Sequence, residues 1–288
     1  MKRNKISLVV FLVISNVLMG CAFGKKEKNY QTNMPEVCEK ELRSCFGEDY
    51  VLSEGVEKEE RFFDEMESVE LIKQYTEWAL TYQDASNQEC IFVFTNACGI
   101  NQEQEYIEKS IESYFSDLVQ QYYRRNFWDK TITQIPGCKE QDSKLYVKPY
   151  KLFVLQDVPE TSVMFDERIQ YSLTENVYFP QLRYDAIFSE FPYTLDLYLY
   201  VTYESEKEGE RAGQRQDTEI KVREMIEEMI HYTNGSLNAT VHITMMDKNG
   251  YADGFSMAIL HGEYFEDNLG TSYEIALHES FFGPIKRK

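Results

Sequence analysis

The spacing of apolar positions changes character near the middle of the chain. In the first half it follows mostly the helical period. Val37, Leu42, Cys45 and Phe46 predict a short helix after Pro35, closed by Gly47. Phe62, Met66, Val69, Ile72, Tyr75, Ala79 and Tyr82 recur at steps of three or four and predict a helix over Glu57–Tyr82. Cys90-Ile91-Phe92-Val93-Phe94-Thr95 is a dense apolar run of β-formers and predicts a buried strand. Over Gln102–Asp129, Ile107, Ile111, Tyr114, Leu118 and Tyr122 line one stripe, widened by Phe115 and Val119, and predict a long helix. Ile135-Pro136-Gly137 breaks that pattern, and the polar stretch to Lys144 marks a boundary.

Beyond it the period falls to two. Leu145–Val158 reads as extended. Tyr193, Leu195, Leu197, Leu199, Val201 and Tyr203 alternate with Thr194, Asp196 and Thr202 on the other face of a strand. Glu204–Gln216, charged and containing glycine, reads as a loop. Val222, Met225, Ile226 and Met229 then place a helix over Asp217–Tyr232. Ala239, Val241, Ile243 and Met245 predict a half-buried strand, Asp247-Lys248-Asn249-Gly250 a hairpin turn, Phe255–Tyr264 the returning strand, and Ser272–His278 a last strand. Strands in runs, with few helices between them, predict an α+β fold. It has antiparallel sheets, long amphipathic helices packed on one face, and two subdomains: helix-rich 35–138 and sheet-rich 139–288.

The amino-terminal segment has a different logic. Lys2, Arg3 and Lys5 precede an apolar run from Ile6 to Met19, whose 14 residues are too few to span a bilayer core as a helix. They match the apolar region of a secretory signal peptide. Leu18-Met19-Gly20-Cys21 resembles the lipobox of bacterial lipoproteins. The resemblance implies removal of residues 1–20, acyl chains on Cys21, a polar tether over 21–34, and a membrane partner through that anchor on the extracytoplasmic face. A second likeness covers about a dozen residues: Cys45-Phe46-Gly47-Glu48-Asp49-Tyr50 is similar to a turn of uncharacterised lipoproteins of Gram-positive bacteria, which carry no catalytic residues to transfer.

Cleavage before Cys21 removes three basic side chains and no acidic ones, leaving 27 Lys and Arg against 49 Asp and Glu, a net charge of −22. That balance excludes nucleic acid as a partner, since phosphate binding needs clustered cations, and holds the body off anionic lipid. The 21 tyrosines suit half-exposed sheets, where a ring is buried and its hydroxyl stays wet. Cys38, Cys45, Cys90, Cys98 and Cys138 are an odd set outside the cytoplasm. Cys38–Cys45 and Cys90–Cys98 close the shortest loops, with connectivity left open.

Candidate chemistry is sparse. His242 lies on the polar face of its strand and His261 near the end of the returning one, so the two could approach across the sheet, with Glu263, Asp247 or Glu279 as a third partner. Gly254-Phe255-Ser256-Met257-Ala258 nears a nucleophile elbow but lacks the strand-to-helix turn that exposes such a serine. Asp247, Asn249 and Asp253 surround a turn of the size calcium loops use, with Lys248 opposing a cation. No motif joins nucleophile, base and orienting group, and no cofactor or metal is expected. The expected role is non-catalytic binding at the cell envelope, with a cell-surface protein or glycan as partner. The alternatives are an extracytoplasmic hydrolase using His242, His261 and carboxylates, or a solute-binding lipoprotein.

Overall fold

In a computed structural model the described residues are 36–64, 69–96, 103–155, 162–166, 173, 176–250 and 252–266. The signal segment, Cys21, the tether, Cys98, the predicted strand Ser272–His278 and Glu279 lie outside them.

Helix α1 (Glu36–Phe46) forms where the sequence places it and buries Cys38, Leu42, Cys45 and Phe46. Gly47 ends it: the Gly47 N–H donates to the Arg43 carbonyl at 2.9 Å with φ +83°. Only glycine takes that conformation without strain, and a Cβ there would meet the Tyr178 hydroxyl oxygen at 2.7 Å.

The helix expected over Glu57–Tyr82 is instead two strands. β1 (Val51–Leu52), β2 (Val56–Asp64), β3 (Val69–Gln83) and β4 (Glu89–Asn96) form an antiparallel sheet in which β3 is central. The competing signal is a period of two: Thr76, Trp78, Leu80 and Tyr82 are buried while Tyr75, Glu77, Ala79 and Thr81 are half-buried. Aromatic and β-branched side chains crowd a helix but stack well on a pleated surface, and here they outweigh the spacing of three and four. β4 alternates as well. Phe92 and Phe94 are buried, but Ile91 and Val93 are 55% and 53% exposed, so the run expected to be buried on both faces is buried on one.

Helix α2 (Glu103–Tyr123) continues through a π-helical turn, Arg124–Trp128, into the short α3 (Asp129–Ile132). Ile107, Ile111, Phe115, Val119 and Tyr123 are its buried line, with Tyr114, Leu118 and Tyr122 half-buried beside it.

A second sheet is built from β5 (Lys144–Lys148), β8 (Thr194–Thr202), β9 (Ala239–Met246), β10 (Ala252–Leu260) and β11 (Glu263–Glu266), in the order β11-β10-β9-β8-β5. β6 (Lys151–Leu155) and β7 (Ser162–Asp166) form a separate antiparallel pair, and a short α4 (Ile187–Glu190) precedes β8. The second sheet is not wholly antiparallel as expected: β8 and β9 run parallel, joined by α5 (Glu208–Tyr232). The chain is therefore α+β with one antiparallel and one mixed sheet.

α5 begins in the segment expected to be a loop. Its first turns are held by charge and not by apolar burial. Arg211, Arg215 and Arg223 lie over the rings of Tyr203, Phe255 and Tyr264 at 5.3, 5.6 and 5.3 Å. Arg211 also pairs with Asp247 at 3.4 Å and Arg215 with Asp253 at 2.7 Å. Such contacts favour an ordered cationic segment without an apolar stripe. The predicted Val222, Met225, Ile226 and Met229 are buried further along.

The odd-numbered side chains of β8 and β9 are buried, together with Leu145, Val147, Met257 and Ile259. They belong to one apolar cluster that also takes in α1, β3, β4 and α2, so the core runs continuously past residue 138. Aromatic rings bridge it: Phe46 stacks on Phe92 at 5.2 Å and on Phe179 at 4.6 Å, and Tyr122 on Tyr184 at 4.2 Å.

Candidate functional site

His242 and His261 do not meet. The register sets His242 between Tyr198 of β8 and Ser256 of β10, and its ring stacks on that of Tyr198 at 5.0 Å. His261 falls past the end of β10, in the turn to β11, with φ +49°, its N–H bonded to Asn238 Oδ1 at 3.0 Å. Five positions separate His261 from Ser256, roughly 17 Å at a strand's rise per residue. Among the described residues no three His, Cys, Asp or Glu side chains gather as metal ligands.

The other sequence candidates have structural tasks. Ser256 sits in mid-strand opposite His242, away from any strand-to-helix turn. Asp247 accepts the Asn249 N–H at 2.8 Å and pairs with Arg211; Asp253 accepts the Gly254 N–H at 2.7 Å and pairs with Arg215. Each carboxylate of the turn faces a guanidinium, so the site is a hairpin corner fastened to α5.

Cys38 and Cys45 stand two turns apart on α1, about 10 Å at helical rise. The Cα separation a disulfide tolerates is about 7 Å, so they cannot bridge each other while the helix persists. Burial pushes the Cys45 thiol up to about 12 and raises those of Cys90 and Cys138. A raised thiol holds its proton and is a poor nucleophile.

One polar cluster escaped the sequence reading. Asp196, 4% exposed, accepts hydrogen bonds from the Tyr150 hydroxyl and from Thr240 Oγ1, and Thr194 Oγ1 donates to the Tyr150 carbonyl at 2.8 Å. Burial and the neighbouring carboxylate push the Tyr150 hydroxyl's pKa far up. The arrangement fastens the β5–β6 connection onto the two central strands, and its donors leave the carboxylate satisfied. Its signal in the sequence was Asp196, the one charged residue in a strand otherwise made of leucine, valine, tyrosine and threonine. The adjoining row of Tyr146, Tyr198 and His242 is packed ring on ring, Tyr146 meeting Tyr198 at 6.1 Å edge-on.

The remaining feature is the outer surface of the first sheet. Val51, Val56, Ile91 and Val93 are 69%, 52%, 55% and 53% exposed. Register sets Ile91 beside Thr81, Thr81 beside Val51, and Val93 beside Ala79, so three of the four share a continuous apolar surface. Lys58 and Glu77 close its far side as an ion pair at 3.4 Å. Single exposed valines are ordinary; several gather here on one sheet face, next to a strand edge that no described strand pairs. The expectation of a buried strand hid this surface, and the one trace of it in the sequence is that the large rings Phe92 and Phe94 alternate with the smaller Ile91 and Val93.

The chain matches no family model, no curated protein and no solved structure. Among the described residues no helix is long and apolar enough to cross a membrane.

Proposed function

We propose that this is a lipid-anchored extracytoplasmic protein whose body binds another polypeptide and performs no chemistry of its own. The observation that carries the binding half is the apolar outer face of the first sheet, with Ile91 and Val93 more than half exposed beside a strand edge that no described strand pairs. The separation of His242 from His261 leaves the hydrolase alternative without the pair it was built on. The basic start, the short apolar run and Leu18-Met19-Gly20-Cys21 support the anchor. Two or three acyl chains give stable attachment where one is marginal.

The two halves are tested separately. Cells grown with a labelled fatty acid should label the wild-type chain but not Cys21→Ser; equal label in both refutes the anchor. Cross-linking on intact membranes should capture a polypeptide with the wild-type chain and lose it with Ile91→Lys and Val93→Lys together. A capture that persists in the double variant moves binding away from this face and overturns the reading.

A further inference from the structure

The exposed edge narrows what that polypeptide must look like. β4 pairs with β3 over all eight of its positions, from Gln83↔Glu89 to Thr76↔Asn96, with no bulge. Among the described residues no strand lies on its other side, and none of its outward N–H or C=O groups has a partner. Natural sheets blunt such edges with lysine, proline, bulges or dense charge. Three of the other described edges do so, while the short β1, β6 and β7 carry at most one charge each. β2 carries Glu57, Lys58, Glu59, Glu60 and Arg61; β5 has Lys144 and Lys148 and runs into Pro149; β11 has Glu263 and Glu266 in four residues. β4, with the sequence ECIFVFTN, has no proline, lysine or arginine, and Glu89 at its start is its only charge.

We propose that β4 receives an extended strand of another protein, which continues the sheet with alternating β-branched residues beside Ile91 and Val93 and a basic residue facing Glu89. This rests on the protein-binding reading above. Strand addition takes its affinity from main-chain hydrogen bonds and its specificity from alternate side chains. An open, regular edge supplies the first and an exposed apolar row the second. Charge decides between occupants. The full chain carries a net −19, and Glu89 marks the edge with the same sign. A second copy would bring that charge against its like, whereas a basic segment is drawn in and seated by the same field.

The test is fluorescence anisotropy with the detergent-solubilised full chain and three labelled peptides. The first alternates valine and threonine between terminal lysines. The second has glutamates in place of the lysines. The third is the first with alternate amides N-methylated on the side that would meet β4, leaving the side chains unchanged. The lysine-ended peptide should bind, and the glutamate-ended one should bind at least about tenfold more weakly at low salt, with the gap closing as salt rises. N-methylation, which removes at least two backbone bonds, should weaken binding by roughly tenfold or more. Val93→Lys, at a position 53% exposed where the variant should keep the wild-type circular dichroism spectrum, should also abolish binding.

Equal binding of the N-methylated peptide overturns strand addition; if Val93→Lys still abolishes binding, the face reading survives without it. Absence of binding by all three peptides overturns the proposal, as does self-association in sedimentation that Val93→Lys removes. Failure of the membrane cross-linking to capture any polypeptide strikes the broader reading first.

Discussion

Replacing Phe46 by alanine should destabilise the whole chain as a unit. Phe46 is 2% exposed at the end of α1, and its ring reaches Phe179 at 4.6 Å, Tyr82 at 5.1 Å and Phe92 at 5.2 Å. Deleting a buried phenylalanine costs about 3–5 kcal/mol. Three partner rings, each adding about 0.5–1.5 kcal/mol beyond area, place this site toward the top of that range. Against a total of about 5–15 kcal/mol this removes about a third of the stability or more, and for a chain of this size Tm falls by roughly 6–20 °C. Two tryptophans make the assay informative: Trp78 on β3 and Trp128 at the end of the π turn are 3% and 2% exposed. Urea unfolding of Trp128→Phe follows Trp78 alone, and that of Trp78→Phe follows Trp128 alone. Adding Phe46→Ala to each should move both midpoints by the same amount with unchanged slopes, because one apolar cluster holds both residues. A shifted Trp78 transition beside an unmoved Trp128 transition would refute that reasoning and restore a division near residue 138.

Two further predictions concern titratable groups. Cys45 is raised from 9.0 to about 12, and Tyr184 from 10.0 to about 12, chiefly by burial. A raised folded value means that each contribution to stability is complete below the unfolded value and is lost as pH climbs through the window up to about 12. Tm should therefore decline above pH 9.0, and Cys45→Ala should make that decline shallower below the tyrosine range, with Cys90 and Cys138 supplying the remainder; an equally steep decline in that variant would sink the assignment to Cys45. Separately, Tyr150→Phe removes a donor from the buried Asp196 carboxylate and should cost about 1.5–3 kcal/mol by urea unfolding. The same change in an Asp196→Asn background should cost clearly less, and equal costs in both backgrounds would show that the hydroxyl and the carboxylate do not act together.

The parts of the fold that the sequence made legible are those where one period acts without a rival. α2 shows its stripe plainly because its apolar residues are spaced for a helix and nothing else. β8 and β9 alternate without interruption, and Asn249-Gly250 marks its own turn. The segment 57–82 carried two periods at once, and of the residues at helical spacing Tyr82 falls on the buried face of the strand while Tyr75 and Ala79 fall on the other. What decided it was cross-strand pairing with residues 89–96, which lies outside any local window. α5 was read too short because Arg211 and Arg215 anchor it through rings and carboxylates on other elements, which leave no apolar spacing behind. The pairing of His242 with His261 failed on register alone: both positions were assigned to strands, but the reach of β10 past Ser256 sets them at different levels of the sheet. The edge of β4 was hidden for a related reason, since a run of apolar residues does not reveal which of its neighbours is missing.

The parallel junction of β8 with β9 also bears on how the chain comes together in time. Leu195 pairs with Ala239, 44 residues later, whereas β9 and β10 meet across a tight turn. Closing the longer loop carries an entropic cost that local hairpins avoid, and such contacts slow folding. The β9–β10 and β3–β4 hairpins can therefore assemble early, while the central seam waits for α5 to lie down. Until it does, the apolar sides of both central strands stand open to solvent. Together with the pairing of β5 with β8, which spans a still longer stretch of chain, the seam is expected to form after the hairpins, and Leu197 and Val241 gain their burial only then.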